Sequence, residues 1–256
     1  LLWVILFCNI TAGIGILENA APMVQDYFPA LSAAAAAGFV GLLSLANMGG
    51  RFIWSSASDV IGRKNIYMVY LGAGLAFYFV LAVYGHTSLA LFVGCALVLL
   101  SFYGGGFASI PAYLRDLFGV YQVGAIHGRL LTAWSAAGVA GPLIINTVVE
   151  RQASRGNSGP ELYQLSLYVM CVLLAMGLIS NVLVRPVAQR WFEDPDKVAA
   201  KVESDRAAVL GAQQESGRKT GTAHAPVAGV LALVIAALLV YGLWETAVKA
   251  SQMFAG

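Results

Sequence analysis

The stretch "LSAAAAAGFVGLLSLANMGGRFIWSSASDVIGRK" (residues 31–64) joins a long apolar run to a compact group of charged residues. Residues 31–54 contain a single charge, Arg51. About 20 predominantly apolar residues are enough for a helix to cross a bilayer. The charged residues Asp59, Arg63 and Lys64 follow directly after the run. This pattern indicates a transmembrane helix that ends in a short charged loop.

The same alternation of apolar runs and short polar loops continues along the chain. Of its 256 residues, 59% are hydrophobic and 11% are charged, which is too few charges to cover the surface of a soluble domain of this size. Transmembrane barrels show short alternating segments, and such segments are not seen here. The sequence therefore predicts an all-α membrane protein. Its seven spans are expected at residues 1–22, 31–54, 66–85, 89–113, 124–148, 163–184 and 227–248.

The distribution of Lys and Arg predicts the orientation of these spans. If residue 1 starts on the cytoplasmic side, 12 of the 15 basic residues lie in or beside the loops after spans two, four and six. The other three are Arg151, Arg155 and Lys249. Cytoplasmic loops carry an excess of basic residues, so this arrangement is self-consistent. We expect a multi-pass protein of the bacterial inner (plasma) membrane. The net charge of +2 gives no reason to expect a nucleic-acid partner.

Arg51 belongs to a polar stripe in the second span. Ser44, Asn47, Arg51 and Ser55 follow one another at three, four and four residues, so they share one helical face. An ionisable residue inside a span is by default a functional-site hypothesis. The alternative is that Arg51 extends its side chain to the interface, across about 12 Å of helix measured from Asp59. We favour the functional interpretation, because its polar neighbours share its face.

An arginine in this position favours an anionic ligand. Its guanidinium presents paired donors that match a carboxylate, and Asn47, one turn earlier, could hold that group in place. The sequence therefore predicts a small organic anion as substrate. The three cysteines, Cys8, Cys95 and Cys171, lie within spans at spacings that do not suggest a metal site, so no metal or cofactor is expected. Neither a GxxxxGK nor an HExxH motif occurs, and no enzymatic activity is expected.

The charged group after the second span resembles the signature loop of the major facilitator superfamily. The pattern Gly-x-x-x-Asp-x-x-Gly-Arg-Lys is matched by Asp59, Gly62, Arg63 and Lys64, with Ser55 in place of the first Gly. In that superfamily the loop helps to hold the two halves of the transporter together in one state of its cycle. The resemblance implies the same latching role for these four residues.

A narrower resemblance extends over the first six spans. The segments "NITAGIGILENAAPM", "AAAAAGFVGLLSLANMGGRFIW", "YGGGFASIPAYLRDLFG" and "VGAIHGRLLTAWSAAGVAGP" are similar to the oxalate/formate antiporter family. This implies that residues 1–184 form the C-terminal six-helix bundle, equivalent to helices seven to twelve. An N-terminal six-helix half is then expected upstream of Leu1.

The family resemblance also implies a substrate site. An arginine on helix eight binds the substrate in that family, and Arg51 matches it. The oxalate exchangers add a lysine on helix eleven, where this chain has Trp134. One fixed positive charge favours a monocarboxylate such as formate, lactate or pyruvate over oxalate. Packing between helices is the alternative role for Trp134.

Two further features lie in the spans. Gly104, Gly105, Gly106 and Pro111 fall in one span and predict a bendable helix that lines the pathway. Glu18 lies near the outer end of the first predicted span, so we expect it at the interface rather than as a proton carrier.

The rest of the chain predicts two accessory segments. Residues 185–225 are expected to form a cytoplasmic charged helix, beginning at Asp194 or Asp196, and then a flexible linker from Gly211. Residues 226–256 hold an additional transmembrane helix beyond the usual twelve, which could anchor the protein or bind a partner.

Together these features predict secondary active transport of a small organic anion by alternating access. Formate, lactate, pyruvate and oxalate are the candidate substrates, and either substrate exchange or symport with a proton could drive the transport. The alternative is a membrane-embedded subunit or scaffold of a larger complex that transports nothing.

Overall fold

The computed structural model describes residues 1–188, 195–219 and 225–252. These residues contain nine helices and no strand. The helices are α1 (Leu2–Tyr27), α2 (Ala33–Ile61), α3 (Arg63–Tyr84), α4 (Leu89–Phe118), α5 (Val123–Leu130), α6 (Thr132–Ser154), α7 (Glu161–Leu183), α8 (Pro195–Lys219) and α9 (Ala225–Gln252).

The chain is a multi-pass, all-α membrane protein. Seven helical segments are long and apolar enough to cross a bilayer, with α5 and α6 together forming one of them. The prediction of seven spans from the apolar runs is therefore confirmed for the part of the chain that the structure describes.

The first compact unit is a bundle built from α1 to α7. Helix α1 is central to it and packs against α2, α4, α6 and α7. The most extensive pairings elsewhere in the bundle join α2 to α4 and α3 to α7. The core side chains are large and apolar, and include Phe39, Tyr67, Tyr78, Phe92 and Met170.

Glycines bring α2 and α4 together at short range. A Cβ on Gly50 would overlap the backbone carbonyl of Ser101, and a Cβ on Gly104 would overlap the backbone carbonyl of Asn47. Small residues allow two helix backbones to approach closely, which is the usual way that helices pack inside a membrane. The backbone of α2 is thus held directly against α4 beside Asn47.

Two of the helices extend beyond the apolar runs that predicted them. Helix α2 continues from Trp54 to Ile61 and ends where Gly62 takes a φ of +93°, a conformation that favours glycine. Helix α1 continues to Tyr27, so Glu18 lies nine residues, or about 13.5 Å, before its end. The apolar run marks the part that faces hydrocarbon, whereas the hydrogen-bonded helix also includes the polar residues beyond it.

The fifth span is divided into two helices at Leu131. The Thr132 hydroxyl donates a 2.8 Å hydrogen bond to the carbonyl of Arg129, and so competes with the regular helical ladder at this point. The short helix α5 ends at Leu130, and α6 carries the rest of the span. The sequence predicted one continuous segment here.

The second compact unit, Pro186–Glu245, holds α8 and most of α9. Helix α8 begins at Pro195 and continues to Lys219, whereas the sequence predicted a flexible linker from Gly211. The residues "AQQES" and "RK" after that glycine are mostly good helix formers, which outweigh Gly211 and Gly217. Asp194 and linker residues 220–224 lie outside the described residues. In α9, residues 230–244 are all exposed, as expected of a span surrounded by lipid.

Candidate functional site

Arg51 lies well inside α2, ten residues or about 15 Å before the last residue of the helix. Its side chain is exposed, and its Nε donates a 3.4 Å hydrogen bond to Asn47 Oδ1. The predicted pairing of Arg51 with Asn47 is therefore present in the structure. Among the described residues, neither Nη atom of Arg51 has a hydrogen-bond or ion-pair partner.

Two aromatic rings from other helices complete the surroundings of Arg51. Its Cζ lies 5.2 Å from the centre of the Phe107 ring of α4, a cation–π distance. The Phe107 ring is in turn 5.4 Å from the ring of Trp134 of α6, at an angle of 58°. The structure thus brings together the two residues that the resemblance paired, Arg51 and Trp134, with Phe107 between them.

Phe107 was not identified from the sequence. Its only signal there is its position directly after the three glycines of α4, and an aromatic residue in a span more often packs against lipid or other helices. Whether Phe107 faces Arg51 depends on how α4 is rotated about its axis relative to α2. The apolar pattern alone does not specify that rotation.

Tyr103 lies behind this group, with only 8% of its surface exposed. Its hydroxyl is close enough to the Trp134 indole to interact with it, and is within Coulombic range of both Arg51 and Glu18. The Tyr103 ring packs against Gly13 of α1, where a Cβ would overlap it. Four helices therefore contribute to the surroundings of Arg51: α1, α2, α4 and α6.

The other polar residues of the α2 stripe contribute less. The Ser44 hydroxyl donates to the carbonyl of Val40 within its own helix, at 3.0 Å. The carbonyl of Ser55 accepts a 3.4 Å hydrogen bond from Arg63. The residues gathered at the Arg51 guanidinium are therefore Asn47, Phe107 and, through the Phe107 ring, Trp134.

The glycine run of α4 is closely packed. Each of its glycines faces another helix: Gly104 faces the Asn47 carbonyl, Gly105 faces Trp54 and Tyr70, and Gly106 faces Asn9. Helix α4 is continuous from Leu89 to Phe118, with Pro111 inside it. In this conformation the glycines serve close approach between helices. That the segment bends during a functional cycle stays a prediction.

The loop between α2 and α3 is held by Arg63, whose side chain is only 10% exposed. Its guanidinium pairs with Asp59 and donates to the Ser58 hydroxyl, and its Nε lies 3.6 Å from Asp116 Oδ2 of α4. An aspartate just before a helix can cap its first turn, and Asp59 lies four residues before the first residue of α3. Helix α3 has no side-chain cap, because the Asp59 carboxylate is turned toward Arg63 instead.

Lys64 connects the same loop to the end of α7. Its Nζ donates to the carbonyls of Val182, at 3.0 Å, and Val184, at 2.7 Å. The side-chain amide of Asn181 donates a 2.9 Å hydrogen bond to the carbonyl of Lys64. It also accepts a 3.1 Å hydrogen bond from the Tyr113 hydroxyl. Arg63 and Lys64 thus direct donors to partners within the protein and not only to the lipid surface.

No protein-family model matches the sequence, and no match was found among curated proteins. The resemblance to the oxalate/formate antiporter family therefore rests on the residues of this chain alone.

Proposed function

We propose that this chain is the C-terminal half of a secondary transporter of the major facilitator superfamily, and that it carries a small organic anion by alternating access. The observation that supports this most strongly is the setting of Arg51. A permanently charged guanidinium lies within the apolar part of a membrane-spanning helix, ten residues before the end of that helix, and its two Nη atoms have no partner among the described residues. A structural arginine would ordinarily be paired there.

The substrate that suits this site best carries one carboxylate. Both Nη groups can donate to the two oxygens of a carboxylate, while Asn47 and Phe107 hold the other side of the guanidinium. A second cation beside Arg51 would favour a dicarboxylate. At that position this chain has Trp134, which is 43% exposed and offers an apolar surface instead. Formate, lactate and pyruvate are therefore preferred over oxalate as candidates.

In the proposed cycle, the bound anion neutralises Arg51 and so lowers the cost of closing the site away from water. Two six-helix halves would then rock around this site, with the second half supplied by the N-terminal region. The loop of Asp59, Gly62, Arg63 and Lys64 would act as the latch. Its partners on α4 and α7 would make it move as a rigid part of this half.

Uptake of labelled substrate into proteoliposomes tests the proposal. The vesicles should contain this chain together with the proposed N-terminal half, and formate, oxalate, lactate and pyruvate should be compared. We expect uptake that Arg51→Ala abolishes and that Arg151→Ala, an exposed arginine near the end of α6, leaves intact. Equal uptake by wild type and Arg51→Ala would overturn the site assignment, and no uptake of any anion would favour the non-transporting subunit.

The same vesicles distinguish the two coupling modes. Uptake that requires substrate loaded inside the vesicles indicates exchange. Uptake driven by an imposed proton gradient into empty vesicles indicates symport with a proton.

A further inference from the structure

Three tyrosines lie along one face of α3 inside the bundle. Tyr67, Tyr70 and Tyr78 are each at most 1% exposed. Their spacings of three and eight residues place them on the same side of the helix. A hydroxyl buried in a membrane protein needs a partner, because neither lipid nor the packed core supplies one.

Two of these hydroxyl groups bind backbone carbonyls of neighbouring helices. Tyr67 donates a hydrogen bond to the carbonyl of Gly106 of α4, and Tyr78 donates one of 2.6 Å to the carbonyl of Ala12 of α1. Tyr70, which lies between these two tyrosines on α3, differs from them in its hydrogen bonding. Among the described residues, the Tyr70 hydroxyl has no hydrogen-bond partner.

A second unpartnered polar group lies nearby on α1. Asn9 is only 3% exposed, and its Nδ2 lacks a hydrogen-bond partner in the part of the chain that the structure describes. The amide packs against Gly106, whose missing Cβ leaves the space that it occupies. Both unpartnered groups thus lie beside the glycine run of α4.

Asn9 and Tyr70 line the same small cavity. It has a volume of about 10 Å³, and the rest of its wall is mainly apolar, including Gly74, Leu99, Phe102 and Leu174. A space of roughly this volume admits one water molecule and nothing larger, and a buried water needs polar partners to stay. This cavity offers both the volume and the partners.

We propose that this cavity holds one ordered water molecule that bridges Asn9 of α1 and Tyr70 of α3. The water oxygen accepts a hydrogen bond from Asn9 Nδ2 and exchanges a second one with the Tyr70 hydroxyl. This satisfies both side chains and links the central helix to α3. The inference does not depend on what the protein transports.

A structure of the protein in lipid nanodiscs, at a resolution that shows ordered waters, tests the proposal directly. We expect density within about 2.7–3.2 Å of both Asn9 Nδ2 and Tyr70 Oη. Tyr70→Phe should remove or weaken this density. Tyr67→Phe is the matched control, because Tyr67 does not line the cavity, and the density should persist in that variant. An empty cavity in a wild-type map that shows other buried waters would overturn the proposal.

Thermal unfolding of three single and two double variants provides a second measurement. Asn9→Leu and Tyr70→Phe each remove one partner of the same water, so the midpoint shift of the double variant should be clearly smaller than the sum of the single shifts. Asn9→Leu combined with Tyr113→Phe provides the comparison, because the Tyr113 hydroxyl already binds Asn181 and Tyr113 does not line the cavity, so its shifts should add more closely. Additive shifts for the first pair would argue against a shared water.

Discussion

The guanidinium carbon of Arg51 lies 5.2 Å from the centre of the Phe107 ring, so an aromatic face of α4 supports the only charge within the apolar part of α2. An aromatic ring in this position both attracts the cation and limits its orientation. The Phe107 ring therefore bounds one side of the guanidinium.

Replacing Phe107 with leucine should weaken substrate binding without abolishing transport. A cation–π contact at a partly exposed site contributes about 0.5–1 kcal/mol, so we expect KM to rise roughly 2- to 5-fold. Proteoliposome uptake over a range of substrate concentrations measures this. Phe79→Leu is the control, because Phe79 lies on α3 beside Tyr168, and its KM should stay at the wild-type value. An unchanged KM in Phe107→Leu would show that the ring does not support Arg51 during binding.

Trp134→Lys should shift selectivity toward dicarboxylates. The substitution places a second cation beside the ring that contacts Arg51. One additional charge-assisted hydrogen bond contributes about 1.5–3 kcal/mol, so oxalate should compete roughly 10-fold better against a monocarboxylate. A competition assay with labelled formate measures the ratio. Trp134→Leu, which adds no charge, should leave oxalate a poor competitor, and a gain for oxalate in both variants would indicate a steric effect.

Gly104→Ala should both destabilise the bundle and impair the site. Its Cβ would overlap the backbone carbonyl of Asn47, the residue that orients Arg51. Backbone cannot rotate aside as a side chain can, so we expect a loss of about 1–3 kcal/mol in stability and reduced uptake. Gly94→Ala is closely matched, because it lies in the same helix with nothing within 4 Å of its Cβ. Thermal unfolding in detergent should separate the two variants, and equal midpoints would contradict the close packing of α2 against α4.

Arg63→Ala should slow turnover more than it weakens substrate binding. The change leaves Asp59, Ser58 and Asp116 without their shared partner, and so loosens the contact between α2 and α4 at the loop. Because both carboxylates are about half exposed or more, the loss of stability should stay near 1–2 kcal/mol. Measured uptake should show a lower maximal rate with KM changed less than about 2-fold, which corresponds to under 0.5 kcal/mol.

Arg115→Ala provides the control for Arg63. Arg115 is 56% exposed and lies 3.8 Å from the same Asp116, and among the described residues no hydrogen bond or ion pair joins its side chain to α2. The Arg115→Ala variant should therefore keep a turnover rate close to that of the wild type. If Arg115→Ala slowed transport as much as Arg63→Ala, the effect would belong to Asp116 rather than to the loop.

The apolar runs predicted the spans well, because crossing hydrocarbon imposes the same requirement on every span. They predicted helix ends less well. Residues 55–61, four of which are polar, continue α2 beyond the apolar run, and hydropathy does not mark where hydrogen bonding stops. The break at Leu131 coincides with the hydrogen bond from the Thr132 hydroxyl to the carbonyl of Arg129, and no periodicity in the sequence marks it.

Spacing alone predicted the candidate site only within a single helix, and the family resemblance added Trp134 of a second one. The pairing of Asn47 with Arg51 follows from their spacing of four residues, and the structure contains it. Phe107 and Tyr103 depend on how α4 is rotated toward α2 and α1. That rotation depends on close contacts between residues far apart in the sequence. Gly104 packs against the backbone of Asn47, and Gly13 packs against the ring of Tyr103.

The contact of Lys64 with the last carbonyls of α7 has a consequence for biosynthesis. Lys64 and Val184 are 120 residues apart, so the third helix leaves the ribosome long before its partner exists. Until α7 has been inserted, the Lys64 ammonium and the carbonyl that Asn181 later binds must stay hydrated at the membrane surface. The start of α3 therefore takes its final position only after the sixth span has entered the bilayer, which makes this loop a late step in the assembly of the bundle.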